Sequence, residues 1–72
     1  MSIVYMVTFF DENDDMFLGL YSNFKKACDA ADRFIADNGL TVDEVWSYDT
    51  TRMRHIEFED GRTISIEPCE VQ

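Results

Sequence analysis

The chain is short of cations: six Lys and Arg stand against 15 Asp and Glu, a net charge of −9 over 72 residues. This excludes a surface that holds DNA, RNA or anionic lipid by neutralising phosphate, and it makes basic surfaces the expected partners. Proline occurs once and glycine three times. With no Ser/Gly-rich stretch and no repeat, nothing divides the chain, so residues 1–72 are expected to form a single domain. Two cysteines, Cys28 and Cys69, are too few for a disulfide framework, which fits reduced thiols in the cytoplasm. No apolar run approaches the roughly 20 residues of a membrane helix. The apolar start, Met1 to Phe10, has no basic leader and no small-residue cleavage site, and it runs directly into Asp11-Glu12-Asn13-Asp14-Asp15. It reads as a strand rather than a signal peptide.

Apolar residues are plentiful, at 46% hydrophobic and 14% aromatic, too many for a disordered acidic tail. A chain of this length buries about 60% of its unfolded surface, enough for one sheet with one or two helices and not for a cleft between domains. Ile3 to Phe10 is apolar on both alternating sides, as in a central strand. Asp11 to Asp15 has turn chemistry, and Met16 to Tyr21 is a second strand. A five-residue turn would pair Phe10 with Met16. That register places Met6 and Leu20 on one face and Tyr5, Phe9, Phe17 and Tyr21 on the other.

Ser22 or Asn23 can cap a helix in which Phe24, Ala27, Cys28, Ala31, Phe34 and Ile35 recur on one face. Lys25, Asp29 and Arg33 lie four apart on its wet side. Gly39 supplies the left-handed stop, with Leu40 as the accompanying apolar contact. Val42 to Tyr48, Arg52 to Phe58 and Arg62 to Glu67 read as strands. A two-residue Asp60-Gly61 turn would put Ile64 and Ile66 on the opposite face from Ile56 and Phe58. The three-residue turn Glu59-Asp60-Gly61, with Gly61 left-handed, pairs Ile56 with Ile64 and keeps the apolar residues together. Pro68 is expected to end the last strand or to mark a bulge.

The expected architecture is α+β, in the order β-β-α-β-β-β, with one helix packed on one face of an antiparallel sheet. A helix of about 16 residues spans roughly 24 Å and covers one face, so the other needs water, a partner or a second layer. The residues left for that face are Tyr5, Phe9, Phe17 and Tyr21, an aromatic surface expected to be buried in a homodimer or on a target; curling of the sheet into a half-barrel is the competing arrangement.

Chemistry-bearing patterns are sparse. Asp11, Asn13 and Asp15 imitate the first ligands of a calcium loop, but Met16 and Ser22 stand where that loop needs glycine and a bidentate glutamate, so no metal is expected. His55 is the single histidine and has no serine or cysteine near it in sequence for a triad or a zinc site. Cys69 has no adjacent base to lower its pKa. No pair of carboxylates is marked out for acid/base work, and no glycine-rich phosphate loop is present. The expectation is a protein that is not an enzyme and takes no cofactor.

The charge itself is the remaining signal. Asp11, Glu12, Asp14, Asp15, Asp29, Asp32, Asp37, Asp43 and Glu44 form a candidate acidic surface, able to imitate the phosphates of a duplex in the basic groove of a nucleic-acid enzyme. Solubility alone is the competing account.

The run Ile3-Val4-Tyr5-Met6-Val7, followed by Gly19-Leu20-Tyr21-Ser22-Asn23-Phe24-Lys25-Lys26-Ala27 and Ala30-Ala31, resembles small phage-encoded accessory proteins, in which a hairpin leads into a Ser-capped, alanine-bearing helix. The Glu59-Asp60-Gly61-Arg62 turn is similar to that of some small anti-CRISPR proteins. The resemblance covers about half the chain and transfers no functional residue. It implies a phage-type inhibitor acting in a host cytoplasm on a host or defence protein. The other reading is a small regulatory or structural homodimer.

Overall fold

The helix, α1 (Phe24–Asp37), is defined by its two ends. Asn23 is the N-cap: its side-chain Oδ1 accepts from the Lys26 backbone N–H at 2.8 Å, satisfying one of the unpaired donors of the first turn. At the other end Gly39 (φ 61°) is left-handed. The Gly39 N–H donates to Ala36 O at 3.3 Å and the Leu40 N–H to Ile35 O at 3.0 Å, the paired bonds of a Schellman stop, with Leu40 packed on the core.

A computed structural model describes residues 2–48, 50 and 52–71 of this chain; Met1, the first residue of the apolar start, lies outside the described residues. Around α1 are β1 (Ser2–Phe10), β2 (Asp15–Tyr21), β3 (Val42–Tyr48), β4 (Met53–Phe58) and β5 (Thr63–Val71). This is the expected α+β order. The strands form one open antiparallel sheet in the spatial order β2-β1-β5-β4-β3 and do not curl into a half-barrel. The first and last strands are therefore paired at its centre. β2 and β3, neighbours in sequence through α1, form the two edges.

Sheet and helix contribute differently to the core. Val7, Phe9, Ile56, Phe58, Ile64 and Ile66 supply its bulk, whereas the helix residues buried against them are Ala27, Cys28 and Ala31. Small side chains let the helix axis lie close to the sheet, and Phe24, Phe34 and Ile35 close over the margins. The helix backbone lies over β1, β2 and β5; it meets β4 through side chains, the Arg54 guanidinium on the Phe24 ring among them. β3 consequently stays exposed along its whole length.

Register decides which side chains meet the helix. The β4–β5 connection is the expected three-residue turn: Phe58 N donates to Arg62 O at 2.9 Å, Gly61 (φ 93°) is left-handed, and Ile56 pairs with Ile64. The β1–β2 turn differs from expectation. It has four residues, closed by Phe10 opposite Asp15. Asp11 N donates to Asp14 O at 2.9 Å, and the Asp11 carboxylate accepts from Glu12 N at 2.6 Å. Thr8 then faces Phe17, and a bulge at Leu18 returns the pairing to Val7–Gly19, Met6–Leu20 and Tyr5–Tyr21. The extra residue sends Phe17 and Tyr21 to opposite faces. Pro68 neither ends β5 nor bulges it. The strand continues to Val71, with Pro68 opposite Tyr5 in unbroken register. β4 has ended by then, its last rung being Arg54–Ile66, so the missing N–H falls where β5 has one neighbour only.

The uncovered sheet face as candidate functional site

Because side chains alternate along each strand, the helix takes one face and leaves the other open. The expected aromatic set does not lie together on that open face. Phe9 is 6% exposed, its ring 5.0 Å from Phe34 and 6.4 Å from Phe58. Tyr5 meets Phe24 edge-on at 5.7 Å, and Tyr21 packs against the core. These three are under the helix. Phe17 alone of the four is on the open side, where it is 59% exposed. The alternation that made β1 apolar on both sides did not say which side the helix takes, and the bulge at Leu18 separated Phe17 from the others.

Three rungs build the broad part of the open face, beyond which Val4–Cys69 and Ser2–Val71 continue it on β1 and β5 alone. The middle one runs Phe17–Thr8–Ser65–His55–Trp46 across all five strands, and beside it run Leu20–Met6–Glu67 and Met53–Tyr48. The third is Asp15–Phe10–Thr63–Glu57–Glu44. Phe17, Leu20, Trp46 and Tyr48 are exposed, and Met6, Phe10 and Met53 are half-buried. Large apolar side chains left in water at both ends of one sheet face mark an interaction surface more often than a free one. Trp46 and Tyr48 are absent from the expected set. The alternation of Glu44, Trp46 and Tyr48 in β3 is the signal that could have placed them.

The electrostatics of this face are one-sided. Asp15, Glu44, Glu57 and Glu67 project from it, and none of its strand positions is Lys or Arg. Glu44 and Glu57 are directly opposite each other on β3 and β4. Like charges in that position repel across about 5 Å and destabilise the pair. The cations lie elsewhere: the Arg54 guanidinium is 5.8 Å from the centre of the Phe24 ring, and that of Arg62 is 5.5 Å from the centre of the Phe9 ring, both on the helix side.

The nine candidate acidic residues are all exposed, but they do not form one surface. Asp15 and Glu44 belong to the open face and Asp43 to the bulge at the start of β3. Asp11, Glu12 and Asp14 form the first turn, and Asp29, Asp32 and Asp37 are on the helix, with Lys25 3.3 Å from Asp29. An open groove of about 450 Å³ runs between α1 and β2 over Leu18, Tyr21 and Phe34, and Lys26, Arg33 and Asp37 line its helical side.

The remaining reactive side chains are apart from one another. Ser65, distant in sequence, stands opposite His55, but its hydroxyl donates to Glu67 Oε1 at 3.1 Å while the His55 ring packs against Trp46 at 5.4 Å. Cys69 is on the same face, four residues further along β5 and so about 13 Å away. Cys28 is on the other side of the sheet, where burial raises its thiol pKa, Arg54 works against that and Asp32 and Asp29 add to it. Among the described residues no three His, Cys, Asp or Glu side chains come together as metal ligands would, and no helix is long and apolar enough to cross a membrane. Comparisons with protein families, with curated proteins and with solved structures return no match for this chain.

Proposed function

We propose that this protein is a non-enzymatic binding module that lays its open sheet face on a basic, partly apolar surface of another protein and acts by occupying it. The observation that carries this reading is the composition of the face, where exposed Phe17, Leu20, Trp46 and Tyr48 are interspersed with four carboxylates and no Lys or Arg. Aromatic anchors surrounded by charge of one sign suit a partner that supplies apolar pockets and Lys or Arg. A cation placed between Glu44 and Glu57 would also relieve their repulsion. Two copies joined face to face would bring eight carboxylates together without a Lys or Arg between them, which favours a different partner over a homodimer through this face. The resemblance to phage-encoded accessory proteins makes a host or defence protein the first partner to test, with inhibition as the outcome of occupancy.

The test begins with capture from a bacterial lysate and identification of the retained protein, followed by titration of that protein in purified form. Phe17→Ser and Trp46→Ser are expected to weaken binding at least tenfold, the order of loss when an aromatic anchor is removed. Asp32→Asn on the helix should bind as the parent does. Normal binding by both face variants, or loss confined to the helix variant, would overturn the assignment. A stable dimer hiding Phe17 and Trp46 would replace it with the homodimer reading.

A further inference from the structure

Resting on that reading, we infer that the free edge of β3 is where the partner is held, through an extended basic segment that adds to the sheet as a sixth strand beside Glu44–Tyr48. Three observations lead there. β3 pairs with β4 on one side only, and α1 does not reach it, so alternate N–H and C=O groups along its outer edge are open to another strand. Four large apolar side chains are exposed on this one short strand, Val42 and Val45 on the helix side and Trp46 and Tyr48 on the open side. An added strand would therefore find apolar contacts above and below the sheet. The two edges also differ. β2 is interrupted by the bulge at Leu18, whereas β3, beyond its own bulge at Asp43, keeps unbroken register from Glu44 to Tyr48.

Charge selects the occupant. Edge strands commonly avoid self-association by means of lysine, proline or a bulge. Here the segment Glu44–Tyr48 has none of these; its one charge is Glu44, with Asp43 just before it. Two acidic copies meeting at this edge would repel. A strand carrying Lys or Arg opposite Glu44 would be attracted. Main-chain hydrogen bonds would then supply affinity, and the side chains beside Glu44, Trp46 and Tyr48 would supply selectivity.

The probe is a seven-residue peptide alternating arginine and isoleucine, with a glutamate and isoleucine peptide of the same length as control. The readout is amide hydrogen exchange of the intact protein followed residue by residue. The arginine peptide should slow exchange at least tenfold at alternate positions of Glu44–Tyr48, the glutamate peptide should not, and Glu44→Lys should abolish the protection. Three results would overturn the inference: peptide contact that perturbs Trp46 without protecting any β3 amide, equal protection by both peptides, or concentration-dependent protection in the protein alone, which would make the occupant a second copy. Failure of the open-face assignment is separate, because it shows as undiminished partner affinity in Phe17→Ser and Trp46→Ser.

Discussion

Phe9 and Phe17 are eight residues apart on the two strands of one hairpin, and uninterrupted alternation would put them on the same face. The structure separates them, and stability measures the separation. Phe9 is 6% exposed among Phe34, Phe58 and the Arg62 guanidinium, so Phe9→Ala should cost about 3–5 kcal/mol, the range for emptying a buried aromatic site. A chain of this size has a total stability of about 4–11 kcal/mol, so the loss consumes from about a quarter to all of it. Phe9→Leu gives a measurable form of the same test, with an expected cost of about 1–2 kcal/mol and a fall in Tm of roughly 4–8 °C per kcal/mol. Phe17 is 59% exposed and retains less than half of the roughly 2 kcal/mol that full burial of such a side chain contributes. Phe17→Ala should therefore cost about 1 kcal/mol or less, and Phe17→Leu close to nothing. Urea unfolding followed by far-ultraviolet circular dichroism, with Trp46 fluorescence as a second probe, gives both numbers. Equal losses for Phe9→Leu and Phe17→Leu would refute the Thr8–Phe17 register set by the four-residue turn and with it the composition of the open face.

Replacing Glu44 with lysine turns the like-charged pair with Glu57 into an attractive one, so E44K should raise stability by about 0.5–1 kcal/mol in urea titrations while weakening the partner complex; a destabilised E44K would mean that the two carboxylates are not neighbours. Gly61→Ala meets no steric obstacle, since nothing lies within 4 Å of the added Cβ. Its expected cost of about 1–2 kcal/mol comes from the positive φ alone, and Gly61→Asn should recover part of it; an unchanged urea midpoint for the alanine variant would argue against the bulged turn. Hydrogen bonds from the Arg62 side chain and then from its backbone N–H hold Asp60 below its ordinary pKa of 3.8. A depressed carboxylate stabilises the fold above its unfolded pKa and ceases to do so as pH falls through the folded one. The difference in urea midpoint between the parent and Asp60→Asn should thus be constant at neutral pH and shrink below about pH 3.8; a difference that persists at the lowest pH would exclude this pair as its source.

Local chemistry was the legible part of the fold. Asn23, Gly39 and Leu40 specify their helix ends through bonds within a few residues, and the parity of Ile56, Phe58, Ile64 and Ile66 selects the three-residue turn without any knowledge of the rest. The five-residue turn expected for the first hairpin also placed Met6 opposite Leu20, because the bulge at Leu18 restores that register. What escaped depends on partners remote in sequence or on a single inserted residue. Leu18 carries no mark that distinguishes a bulged from a paired position, yet it moved Phe17 away from Tyr21. Pro68 is tolerated in mid-strand because β4 stops short of it, a fact about another strand's length. The Glu44–Glu57 pair depends on the register of the β3–β4 hairpin, and the Ser65–His55 pair arises only when β4 settles against β5. The open face was legible as a consequence of having one helix, but its membership was not, because an apolar run on both sides of β1 leaves the choice of side to the helix.

The central position of β5 has a consequence for how the molecule comes into being. β1–β2 with its helix and the β3–β4 hairpin share no strand pairing and are joined by the ladders that β5 makes with β1 and β4, so until the final segment arrives side-chain contacts such as Phe9–Phe58 lack the strand that holds them in place. During synthesis, assembly must wait until Thr63–Val71 has cleared the ribosome, and a chain broken off before that point should be a substrate for proteases and chaperones instead of a smaller version of the fold.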